Sequence, residues 1–148
     1  MTATTDPRHR SRFVEIAEAV RRQCGHPADP FDADPANDLT LTVEVGGVWF
    51  EIVHAAAGSP FPATRMGIRA ILGIAPREGT DLLENLLRAN QHTTRMGGGS
   101  FAMDPQTQEL LYCFSDPLDI GADGLMQGLA QAAEQIAALQ ARWPHLVH

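Results

Sequence analysis

Residues 86–104, LLRANQHTTRMGGGSFAMD, place the glycine run Gly97 to Gly99 directly after a leucine-rich segment with helical spacing. Two readings compete. A glycine run beside a helix can cradle a phosphate, which would make this chain a nucleotide enzyme. It can also do no more than join a helix to the next strand. Element order separates them. Phosphate loops run strand, glycines, helix, so that the anion meets the positive N-terminal end of the helix. Here the order is helix, glycines, strand, and the helix presents its negative C-terminal end. Ser100 and Phe101 follow the glycines, where a phosphate loop needs Lys and Ser or Thr. The glycines therefore read as a flexible link, and the segment as a helix leading into a hairpin.

Working outward, Thr80 is a plausible N-cap for that helix, with Asp81 in the first turn where a negative charge suits the dipole. Leu82, Leu83, Leu86 and Leu87 span an arc of about 140°, wider than the stripe of about 100° needed to cover one sheet. Part of the arc is left to pack on something else. Downstream, SFAMDPQTQELLYCF predicts a second hairpin turning at Asp104-Pro105. A last helix runs from about Asp123 to Trp143. Its narrow stripe is Leu125, Leu129, Ala132, Ile136, Leu139 and Trp143, and Pro144 ends it.

Upstream, Leu39, Leu41, Val43 and Val45 alternate with Thr40, Thr42 and Glu44, the pattern of a half-buried strand. Gly46-Gly47 is a hairpin turn signal. Beyond it Val48, Phe50 and Ile52 point one way and Trp49, Glu51 and Val53 the other. GIRAILGI, with Ile68, Ala70, Leu72 and Ile74, adds a third strand. Before the strands comes a helix from about Arg10 to Cys24, with Phe13, Ile16, Ala17, Val20 and Cys24 on one stripe and Gly25 as its stop. Between them, HPADPFDADPAND is a loop. Its Asp32-x-Asp34 fragment partly resembles a calcium loop but lacks the glycine and the glutamate such a loop needs. The order is α-βββ-α-ββ-α. It predicts an α+β fold in which a twisted, mostly antiparallel five-stranded sheet carries three helices.

The 148 residues fit one domain, with about 1–9 and 144–148 as tails around a folded unit at about 10–143. A net charge of −7 repels polyanions, so nucleic acid and anionic membrane surfaces are not expected partners. All eleven basic residues are Arg. No apolar run reaches the roughly 18 residues that span a bilayer, and the polar N-terminus does not read as a signal peptide. The chain reads as cytoplasmic.

Chemistry is sparsely signalled. Cys24 and Cys113 are far apart, no CxxC exists, and Cys113 reads as a buried, inert strand thiol. His9 lies in the tail, His54 ends a strand, His92 ends a helix, and His145 and His148 form an HxxH at the C-terminus. Ordinary surface or capping roles account for them, and no metal or other cofactor is indicated. His26, two residues after Cys24, would be half of a metal site whose other half is not visible. No GxSxG elbow is present. What remains is apolar surface: Trp49, Val53, Ile71 and Leu111 fall on strand faces opposite the main alternation. Either a helix covers them, or some stay exposed and bind an apolar partner segment.

The helix FVEIAEAV, the strand pair LTLTVEVGGVWFEIV, LLENLLRANQ, GGGSFAMDPQTQELLYCF and DPLDIGADGL, taken in order, resemble the class I type III secretion chaperones, the CesT or Tir-chaperone family. The resemblance runs from about Arg12 to Trp143. None of its motifs is catalytic. It implies a small homodimer in the bacterial cytoplasm that binds the N-terminal segment of a secreted effector, masks its apolar residues and delivers it to the secretion apparatus, without a cofactor. It also implies a dimer interface at Leu83, Leu86, Leu87 and Asn90, and an effector groove at Phe13, Ile16, Trp49, Val53, Ile71 and Leu111. The Pro/Asp loop from His26 to Asp38 departs from the family pattern. The rival readings are a ligand-sensing or regulatory α/β module without an export client, and a hydrolase using His54 or His92.

Overall fold

The alternating stretch at 39–54 folds as its pattern dictates. In the computed structural model, which describes residues 6–26, 34–74, 80–95 and 98–142, β1 (Leu39–Val45) and β2 (Val48–His54) form an antiparallel hairpin in the register Val45↔Val48 to Leu39↔His54. Gly46 and Gly47 have φ of +59° and +79°, the left-handed pair that a two-residue hairpin turn requires. β3 (Arg65–Ile74) continues the meander. The second hairpin is β4 (Ser100–Met103) and β5 (Glu109–Pro117). β5 inserts beside β3, which gives the all-antiparallel order β1-β2-β3-β5-β4. A bulge between Ile71 and Gly73 shifts the β3–β5 register.

Three helices complete the α-βββ-α-ββ-α order: α1 (Pro7–Gln23), α2 (Thr80–Arg95) and α3 (Gly121–Arg142), with a short 3-10 turn at Leu118–Ile120 before the last. α1 starts earlier than its apolar stripe predicts. Asp6 is its N-cap, accepting from the Arg8 N–H at 3.0 Å, and Pro7 fits the first turn, where no N–H is needed. The expectations for the N-terminal tail before Asp6, for Asp32 and the middle of the Pro/Asp loop, for Gly97, and for Trp143, Pro144, His145 and His148 lie outside the described residues.

One face of the sheet is sealed. Leu41, Val43, Phe50, Ile52, Met66, Ile68, Ala70 and Leu72 form a single apolar cluster with Phe13, Ile16 and Val20 of α1 and Leu125, Leu129 and Ile136 of α3. Each of the large side chains contributes about 1.5–3 kcal/mol relative to an exposed position. Leu82 and Leu86 of α2 join the same cluster. The opposite face of the sheet carries Trp49, Glu51, Arg69, Ile71 and Cys113, none of them fully buried. The fold thus has a closed side and an open side.

Candidate binding surface

The open face is organised in rows set by the strand register. Glu44, Trp49, Ile71, Leu111 and Ala102 pair successively across all five strands, so three of the apolar residues singled out in the sequence share one line. Trp49 is 47% exposed, Ile71 is half-buried and Leu111 is buried. The next row holds Thr42, Glu51, Arg69, Cys113 and Ser100, and in it Arg69 is ion-paired with Glu51. A third row contains Thr40, Val53, Gly67 and Ser115. The Phe61 ring covers Gly67, lying 3.7 Å from where a Cβ would stand. Two apolar bands, Trp49–Ile71–Leu111 and Val53–Phe61, therefore flank a charged middle row. Phe61 is invisible to periodicity because it lies between Pro60 and Pro62 in a loop, and only its placement over a glycine brings it to the sheet.

Phe13 and Ile16 belong elsewhere. Both are buried in the core, beneath the other face of the sheet, so they cannot line one groove with Trp49 in this chain. The cause lies in their partners: the Phe13 ring stacks on His54 at a centroid distance of 5.3 Å, and His54 is on the sealed face.

His54 is likewise not the surface group expected of a strand end. It is 0% exposed and its Nε2 bonds to the Ala63 carbonyl oxygen at 2.8 Å, while Nδ1 has no hydrogen-bond partner among the described residues. Burial pushes its pKa below the usual histidine value, the Ala63 bond opposes this, and the Arg10 and His9 charges add to the lowering. Arg10 is buried beside it. Its guanidinium donates to the carbonyls of Asn37 at 2.8 Å, His54 at 3.4 Å, Ala55 at 3.4 Å and Pro35 at 3.5 Å. These bonds tie the start of α1 to the entry of β1 and the exit of β2. The knot orders loops and offers a substrate no access to the ring.

The four α2 residues do come together. Leu83, Leu86, Leu87 and Asn90 line an apolar cleft of about 240 Å³ against Phe101, Ala102, Met103 and Leu110. Leu83 is 41% and Leu87 69% exposed, but Leu86 is buried within the chain's own core. Asn90 makes a two-bond clamp: its Nδ2 donates to the Phe101 carbonyl at 3.0 Å, and its Oδ1 accepts the Phe101 N–H at 2.6 Å. Met103 and Ile74 are exposed as well. The glycine link is tighter than a flexible joint. A Cβ on Gly99 would lie 2.6 Å from the Cys113 carbonyl oxygen, and the Gly99 N–H donates to the Tyr112 hydroxyl at 3.1 Å. Gly99 is a close-packing residue.

Neither thiol is activated. Burial raises the pKa of Cys24 and of Cys113, against a smaller lowering by Arg69 at Cys113. Among the described residues no three His, Cys, Asp or Glu side chains are grouped to hold a metal, and no helix is long and apolar enough to cross a membrane.

The chain thus presents an antiparallel sheet with one sealed face, one open face and an apolar helix at its edge. Solved structures that share this fold include the following three. A chain of the ExsC–ExsE complex superposes with a TM-score of 0.69 at 14% identity, covering 88% of this chain and 92% of that one. The HopA1–SchA chaperone–effector complex gives 0.60 at 11% identity, with coverages of 87% and 93%. The Yersinia pestis type III secretion chaperone SycH, in complex with a stable fragment of YscM2, gives 0.57 at 14% identity, with coverages of 86% and 98%. No individual curated protein matches the sequence. The profile of the Tir chaperone protein (CesT) family matches residues 21–140, and the chain belongs to that family.

Proposed function

We propose that this protein is a type III secretion chaperone that binds the N-terminal segment of a secreted effector in the bacterial cytoplasm and keeps it soluble and competent for export. The observation that carries the reading is the family match over residues 21–140, on a chain whose open sheet face bears the Trp49–Ile71–Leu111 row. An extended apolar segment suits such a face, because alternate side chains can rest on the two bands while polar ones meet the Glu51–Arg69 pair. That two of the similar structures are described as chaperone complexes supports the same partner class. The protein works by binding and not by catalysis, and acts as a homodimer. Leu83 and Leu87 form the exposed part of the interface over a floor made by Leu86, and the Asn90 clamp fixes the helix that presents them.

An affinity pulldown of tagged protein from native bacterial lysate, with the mass of the complex taken by light scattering, tests this. Recovery of one larger protein, held through its N-terminal segment by two copies of the chain, is the expected result. A dimer that captures no protein but is stabilised by a metabolite would replace the chaperone reading with the ligand-sensing one.

A further inference from the structure

A second cleft lies on the helix-covered side, between β5 and α3, apart from both surfaces above. It encloses about 230 Å³, and its principal walls are Tyr112, Phe114 and Asp116 of β5 and Gly128, Gln131 and Gln135 of α3. The i, i+3, i+7 spacing of those three helix residues turns one stripe of α3 toward the strand. Gly128 leaves room there: a Cβ on it would stand 3.5 Å from Asp116 Oδ2.

The chemistry of the walls is one-sided. Asp116 accepts no hydrogen bond from the described residues, although it is only part-exposed. Carboxylates withdrawn from water are ordinarily paired. Arg65 acts on it at longer range, but that guanidinium is engaged by Ser115, through Nε to Oγ at 3.1 Å and a second nitrogen to the carbonyl at 3.0 Å. Burial raises the Asp116 carboxyl pKa, with Arg65 pulling it back. Among the described residues, none that lines the cleft is basic. Tyr112 and Phe114 supply an aromatic pair with centroids 5.7 Å apart. One carboxylate, two amides and two aromatic rings are a poor donor set for a metal ion and a good one for a flat organic cation.

We propose that this cleft receives a guanidinium group, the side chain of an arginine in a bound partner peptide. The planar fork can meet both Asp116 oxygens and lie against an aromatic ring, which an ammonium cannot do. That the arginine belongs to a secreted client rests on the chaperone reading. The cation site does not.

The test is an NMR titration of the full-length, ¹⁵N-labelled protein with N-acetyl-arginine amide, beside its neutral isostere N-acetyl-citrulline amide. Saturable shifts at Gly98, Gly99, Tyr112 to Asp116 and residues 128–135 are expected from the arginine compound alone. Asp116→Asn should weaken its binding by at least about tenfold, or about 1.4 kcal/mol. That variant removes an unpaired charge, so its melting temperature should not fall. Gln131→Arg plants a guanidinium in the cleft and should block the probe. Equal shifts from citrulline, unchanged binding by Asp116→Asn, or no saturable response would each overturn the site and leave the chaperone reading standing. Once a client is known, its N-terminal peptide is compared with the same peptide carrying citrulline for arginine. Equal affinity of the two would overturn the peptide source and assign the site to a free small cation.

Discussion

Trp49 and Phe50 are neighbours in sequence and opposites in fate. Phe50 is fully enclosed beneath α1 and α3, while Trp49 stands half in water on the far side of the same strand. Both are large and aromatic, so hydrophobicity does not separate them. Position in a period of two does, together with the fact that the helices that form the sealed core cover one face of the sheet. The sealed face holds the chain together, and the open face is left available for another chain.

The sharpest way to break this contrast is to truncate both residues. Phe50→Ala should cost about 3–5 kcal/mol in urea unfolding, and Trp49→Ala about 1 kcal/mol or less. Equal losses would mean that the open face is as structural as the closed one. Next in size is the clamp at the edge. Asn90→Leu leaves the Phe101 N–H and carbonyl without their partner and should cost about 1–3 kcal/mol, with faster exchange of the Phe101 amide.

A smaller, pH-gated effect should come from the sealed side. The folded-state pKa of His54 is lowered, so the unfolded chain binds its proton first. Its contribution is therefore complete above the ordinary value of 6.5 and is lost as pH falls from there through the lowered folded value. His54→Gln should flatten that acid-side slope in melting temperature measured against pH. An unchanged slope would assign the acid sensitivity to other groups. The smallest effect on the chain's own stability belongs to Leu87→Asp, within about 0.5 kcal/mol, yet it should turn a dimer into a monomer by light scattering. A mutant that stays dimeric removes α2 from the interface. Leu86 cannot serve this purpose, because an aspartate there would be buried in the core of its own protomer.

How much of this was legible follows a physical rule. Strands, helices and the outward position of Trp49 are written in local periodicity and could be read, as could the leucines that do not fit α2's sheet-facing stripe. Arg10 and His54 could not. An arginine reads as surface because burial of its charge is costly, and only carbonyls from Pro35, Asn37, His54 and Ala55, remote in sequence, offset that cost. Phe13 and Ile16 show the same limit: periodicity says that a stripe is apolar, not whether the chain itself or a partner covers it. Gly99 shows it for backbone. Its proximity to the Cys113 carbonyl exists only once β4 lies on β5.

The Asn90 clamp has a consequence for self-association. A sheet edge is a template that can copy itself, strand upon strand, through its free N–H and carbonyl groups. At Phe101 those groups are met by a side-chain amide, a fragment of peptide chemistry carried on a helix, so the template is interrupted at that residue of the edge strand. Another molecule approaching at Phe101 meets the exposed Leu83 and Leu87 of the same cleft beside backbone groups that are already engaged. Association at that point therefore turns on side chains more than on shared strand hydrogen bonds.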